Sequence, residues 1–159
     1  MTNQDLNQAL LDYLKTHSPS DWHQVAWNWN WDNGIEPLDW VTDQKECDKG
    51  TALLIYWSGS PGWNHKYASR KEVPDYEKTT YDLNFKIEKN YLNGFYLSKN
   101  IFCDPKDING TDMTKEYNDV QGKQLIPEAM FKPAPGTKFA RGHFIEGYPP
   151  EIAEKFDIK

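Results

Sequence analysis

A mainly α-helical fold, a single domain of about five helices, is predicted for this 159-residue chain by three features. Apolar residues recur at helical spacing in four successive runs before residue 58. Each run is preceded by a residue type that caps helix amides. Beyond Cys103-Asp104-Pro105, Gly, Pro, Asn and Asp dominate and no long periodic run appears. Residues 1–104 are therefore read as the helical body. Residues 105–159 are read as a Pro/Gly-rich extension packed on the same domain, with room for a short β-hairpin.

Thr2 with Asp5 three residues on forms a capping box, and Leu6, Ala9, Leu10, Tyr13 and Leu14 give the first helix one apolar face, ending near His17. Ser18-Pro19 supplies a cap and a proline at the first helical position, where no intrahelical amide is needed. Trp22, Val25, Ala26 and Trp29 follow at helical spacing. Asn30–Gly34 is turn chemistry. Asn33 with Glu36 repeats the capping pattern, and Ile35, Leu38 and Val41 line a third helix that tolerates Pro37 in its first turn. Asp48 caps a fourth helix whose run Ala52–Trp57 is apolar on every side, the signature of a central helix. Ser58–Pro74, rich in Gly and Pro, is read as a loop.

Residues 81–96 satisfy two templates. Tyr81, Leu83, Phe85 and Ile87 alternate with polar residues as a strand would, yet Tyr81/Phe85, Ile87/Tyr91 and Asp82/Lys86 are also helical i,i+4 pairs. Periodicity leaves both open. In the extension, Pro127–Phe131, a strand near Lys138–Ile145 and a helical turn at Glu151–Phe156 are the short candidates.

Several motifs carry a resemblance: Trp29-x-Trp31-Asp32-x-Gly34, Leu38-x-Trp40, Cys47–Trp57, Val73-Pro74, Tyr91-Leu92-x-Gly94-Phe95-Tyr96 and Ile101-x-x-Asp104-Pro105. Over roughly residues 20–105 the chain resembles a bacterial domain of unknown function, the one catalogued under the digits four-two-seven-four. The resemblance implies that Tyr81–Tyr96 is helical. It implies no activity, but members are small stand-alone bacterial proteins, often encoded in variable loci beside toxin–immunity modules.

Composition narrows the function classes. All seven tryptophans fall between Trp22 and Trp63, and residues 1–63 carry nine acidic against three basic side chains, the whole net charge of −6. An acidic chain lacks the basic stripe that nucleic acid requires and is repelled by anionic lipid. The N-terminus lacks a signal-peptide pattern and the longest apolar run has six residues, so a cytoplasmic protein without a membrane span is expected. Cys47 and Cys103 have no metal-type spacing and are expected as free buried thiols. The four histidines are scattered, and Asn28–Asp39 misplaces both the glycine and the final glutamate of a calcium loop. No metal, no cofactor and no catalytic residue is assigned.

Trp22, Trp29 and Trp57 lie on apolar faces and are expected in the core. The expected partner-binding residues are Trp31, Asp32, Asn33 and Asp39, with Trp63, His65 and Tyr67 from the loop after the fourth helix. Alternate loops of an up–down helical array emerge at one end, and indoles beside polar groups suit an interface. The expected role is a non-enzymatic protein-binding module, an immunity protein for a basic toxin or effector, acting as a monomer or weak homodimer. The alternative is a small hydrolase or carbohydrate-binding enzyme, with indoles stacking on sugar and Asp32, Asp39 or Glu46 as acid and base.

Overall fold

The computed structural model of the chain describes residues 2–115, 117 and 122–159. It is mainly helical and, among the described residues, contains no sheet. The principal helices are α1 (Asn3–Thr16), α2 (Pro19–Asn28), α3 (Glu36–Asp43), α4 (Lys49–Ser58) and α6 (Lys78–Leu92); α5 (Pro61–His65) and α7 (Pro150–Lys155) are short. Single 3-10 turns occur at Trp31–Asn33, Arg70–Glu72, Asp75–Glu77 and Glu128–Phe131.

Local chemistry starts α1 and α2 as expected: Asp5 and Asp21 reach back to the amides of Thr2 and Ser18 at 3.1 and 3.3 Å. The third cap is a correction. Asn33 lies in the 3-10 turn, its side chain donates to Glu146 at 3.3 Å, and α3 begins without a side-chain cap. Asn30 caps the turn instead, accepting from the Asp32 amide at 3.0 Å. Residues 61–65, expected as loop, form α5. Ser60 ends the α4 connection in a left-handed conformation (φ 53°), which lets Pro61 open a new helical turn at once. The helix expected at Tyr81–Tyr96 runs from Lys78 to Leu92, because Gly94 (φ 72°) turns the chain out.

α4 is buried on every face from Gly50 to Trp57 and packs between α2 and α6, while α1 pairs with α3. Leu10 and Leu14, Val25, Leu38 and Val41, and Leu83 and Ile87 close around it in one core. Each fully buried side chain of this kind contributes roughly 1.5–3 kcal/mol. Trp22, Trp29 and Trp57 are core residues, and each indole N–H is satisfied by a backbone carbonyl: Leu14, Gly34 and Met130, at 2.7, 2.8 and 2.7 Å.

The junction of α4 with residues 98–101 is built on Asp48. Its buried carboxylate caps α4 through the Gly50 amide (2.9 Å) and also accepts from the Ser98 hydroxyl (2.9 Å) and the amides of Asn100 (2.7 Å) and Ile101 (3.2 Å). The Ile101 carbonyl then comes so near Gly50 that any Cβ would collide with it.

The extension lies along this body. Cys103 and Ala134 exchange both backbone hydrogen bonds, at 3.2 and 2.8 Å, and Thr137 pairs with residues 100–102. The strand expected near Lys138–Ile145 does not form. The segment is irregular, and part of its backbone bonding goes to the Gln24 amide, which donates to the Ala140 carbonyl (2.9 Å) and accepts from the Gly142 amide (2.7 Å). A glutamine side chain stands where a neighbouring strand would. The hairpin shrinks to a tight turn bridging Ile145 and Tyr148 through Glu146 and Gly147, both at positive φ. Tyr148 is buried with its ring 5.5 Å from that of Trp29.

Candidate functional site

Of the two loops expected at the interface, the first reaches the turn after α4 through Trp31. Trp31 is half-buried with its ring against Gly59, at the turn between α4 and α5. Asn84 of α6 braces the same turn, donating to the Gly59 carbonyl at 3.0 Å. Asp32 is exposed and lines a small recess with Asn33 and Tyr148, of which neither Asp39 nor Glu46 is part. Trp63 is 47% exposed, with the Lys66 ammonium 4.7 Å from its ring centroid. Tyr67 is half-buried and donates to Glu77 at 2.8 Å.

His65 lies behind this surface. It is fully buried, stacked on Phe85 at 4.7 Å, with Nδ1 2.8 Å from the Pro61 carbonyl. Its Nε2 comes within 3.0 Å of Glu88, at an angle too poor for a hydrogen bond. Glu88 also accepts from the Tyr56 hydroxyl at 2.8 Å. This buried set ties α5 to α4 and α6, so Trp63 projects from a fixed base.

Two exposed residues that the sequence did not single out lie on segments bonded to this one. Tyr76 (83% exposed) precedes Glu77, the partner of Tyr67. Leu125 (81% exposed) follows Gln124, which is held by the carbonyls of His65 and Tyr67 at 3.0 and 2.8 Å. Trp63, Tyr76 and Leu125 thus stand on three segments tied to one another through Tyr67 and its neighbours. No periodic signal in the sequence marks them, because their segments are separate turns.

Much of the acidic excess has structural work. Asp5 and Asp21 complete capping boxes, and Asp48 is buried. Asp39 and Asp43 of α3 share the Lys86 ammonium of α6, the latter at 3.0 Å. Asp32, Glu36 and Glu46 remain exposed, without an ion pair among the described residues.

A second concave feature lies where α2 and α4 meet residues 102–109 and 138–139, a cleft of about 150 Å³. Its walls include His23, Trp27, Leu54, Cys103, Asp104 and Lys138. The Trp27 indole N–H donates to Asn109 at 2.7 Å. His23 is 3% exposed, and its Nδ1 lies 2.8 Å from the Thr51 hydroxyl. Burial pushes its imidazole down to about 4, against a smaller upward pull from Asp48. Burial likewise pushes the Cys103 thiol up to about 12, helped by Asp104. At neutral pH both are uncharged, the opposite of a thiolate–imidazolium pair. No group of three or more His, Cys, Asp or Glu among the described residues is placed to hold a metal ion.

The depressed imidazole links stability to pH. Above the ordinary histidine value of 6.5 both folded and unfolded states hold it neutral, and stability is full. Between 6.5 and about 4 only the unfolded state takes the proton, so stability falls as pH falls. His23 is expected to remove about 2 kcal/mol between pH 7 and pH 5. Urea titrations at the two pH values check this, and His23→Gln should flatten the difference by that amount.

No curated protein and no solved structure is similar to the chain. A family model matches from the segment just before α2 to the end of α6, and so stops short of the Gly94–Tyr96 and Ile101–Pro105 motifs. Residues 17–92 are similar to that family, a domain of unknown function, DUF4274.

Proposed function

We propose that this chain is a non-enzymatic protein-binding module, and that its partner is a basic protein, in the manner of an immunity protein masking a toxin or effector. The observation that carries the reading is the face around α5, where Trp63, Tyr76 and Leu125 project from segments locked beneath by Tyr67, Gln124 and His65. Exposed aromatic and aliphatic groups held on a rigid base lose little entropy on association, which favours them as interface anchors. Lys66, Glu72 and Lys123 edge the same region with mixed charge. The net charge of −6 favours encounter with a cationic partner, while the apolar anchors would supply the affinity.

The hydrolytic alternative draws less support, since Asp39 is engaged by Lys86 and does not share the Asp32 recess. The test is recovery of a partner at low salt from the native host, followed by the triple variant Trp63→Ala/Tyr76→Ala/Leu125→Ala. Wild type is expected to bind the partner in a salt-sensitive manner and to relieve its toxicity. The triple variant should bind at least about 100-fold more weakly, with its stability little changed. Undiminished binding by the triple variant would remove the α5 face from the interface, and a partner whose toxicity the chain leaves untouched would end the immunity role.

A further inference from the structure

The cleft between α2 and residues 102–109 has a chemistry that the binding role leaves unused. We infer that it is a small-molecule site for an aromatic or apolar organic cation, with the ring against Trp27 and Phe102 and the cationic head toward Asp104 and Asp107.

Four observations converge on it. The cleft of about 150 Å³ is the size of a cavity that holds one benzene ring. Its apolar walls come from Trp27, Leu54, Phe102, Ile108 and Phe139, so a ring would exchange water for carbon on several sides. Asp104 and Asp107 both line it, and neither has an ion-pair partner among the described residues. Each accepts one backbone amide, from Lys106 at 3.0 Å and from Gly110 at 3.2 Å, which fixes the carboxylate without neutralising it. Lys138, the one ammonium among the described lining residues, lies over the Phe102 ring at 5.0 Å, so these residues keep a net negative charge.

The fourth observation is His23. This residue is 3% exposed and is part of the cleft wall. Nδ1 is taken by Thr51, and no hydrogen bond of Nε2 is found among the described residues. In either tautomer Nε2 keeps one hydrogen-bonding function. A polar ring on the wall of an aromatic recess is what a ligand with a polar head would engage.

The probe is benzylammonium, with benzoate and benzyl alcohol as its anionic and neutral counterparts, added to the full chain and followed by 15N NMR. Benzylammonium should shift the Trp27 indole and the His23 imidazole resonances saturably, with a Kd of about 1 mM, and benzoate and benzyl alcohol should bind at least about tenfold more weakly. Asp104→Asn/Asp107→Asn, which keeps the acceptor oxygens of the two turns, should weaken binding by about tenfold or more. If that variant fails to fold, Lys138→Ala decides, because removing the competing ammonium should strengthen benzylammonium binding by about three- to tenfold. The absence of a saturable shift with benzylammonium, equal binding of benzoate or benzyl alcohol, full affinity in the double Asn variant, or unchanged or weaker binding in Lys138→Ala would each overturn the assignment. None of these readouts depends on the α5 face, so this site and the partner interface stand or fall separately.

Discussion

Asp48→Ala is expected to destabilise the protein by on the order of 5 kcal/mol. The carboxylate is 1% exposed and accepts from four donors, the amides of Gly50, Asn100 and Ile101 and the Ser98 hydroxyl. Removing it leaves the buried amides of Gly50 and Ile101 and the part-buried amide of Asn100 without that acceptor, and each buried orphan costs roughly 1–3 kcal/mol. It also frees the chain at 98–101 from the start of α4, where Gly50 had been kept small to admit the Ile101 carbonyl. Asp48→Asn separates the contributions. One oxygen can still serve Gly50 and Ile101, while its amide nitrogen faces the Asn100 amide, so roughly half the loss is expected. Urea midpoints at pH 7 provide the measurement; a midpoint for Asp48→Ala within error of wild type would mean that the junction contributes nothing to stability.

The second large effect is expected at Trp57. Its indole is 1% exposed, meets Tyr56 and Phe131 edge-on at 5.5 and 5.1 Å, and donates to the Met130 carbonyl at 2.7 Å. Trp57→Ala should cost roughly 3–5 kcal/mol, combining lost apolar burial with a cavity. Trp57→Phe keeps most of the volume but strands the Met130 carbonyl, at roughly 1–3 kcal/mol. A domain of ordinary stability, about 5–15 kcal/mol, would be left close to unfolding by the alanine variant. Calorimetry should show a much lower Tm for alanine and a smaller drop for phenylalanine. Equal drops would assign the whole effect to the hydrogen bond.

The sequence was legible where structure is local. Caps and apolar spacing lie within a few residues of each other, so α1, α2 and α4 appear nearly where they were expected, and the buried tryptophans follow from their positions on those faces. Residues 81–96 needed the family resemblance, because alternation and i,i+4 pairing coincide in Tyr81-x-Leu83-x-Phe85-x-Ile87. The burial of Leu83 and Ile87 together with Tyr91 is the helical outcome.

The parts that were not legible depend on distant groups. His65 sits in a Gly/Pro-rich stretch that reads as exposed, and its burial comes from Phe85 and Glu88 of α6. The 138–145 segment has no strand beside it, and Gln24, 116 residues earlier than Ala140, supplies the pairing. The cleft gathers residues from 23 to 139, so no window of sequence contains it. The charge excess was visible as a count, but its distribution was not, since Lys86 reaches Asp39 from 47 residues away.

The coverage of α4 also has a consequence for the protein as it is made. Met130, the acceptor for Trp57, lies 73 residues downstream, and Tyr148, which packs on Trp29, comes later still. A ribosome adding about 5–20 residues per second synthesises that stretch in roughly 4–15 s. For that interval the nascent chain holds its most apolar helix with part of its final covering still unmade. This is the window in which a chaperone would engage it, and in which crowded neighbouring chains would aggregate.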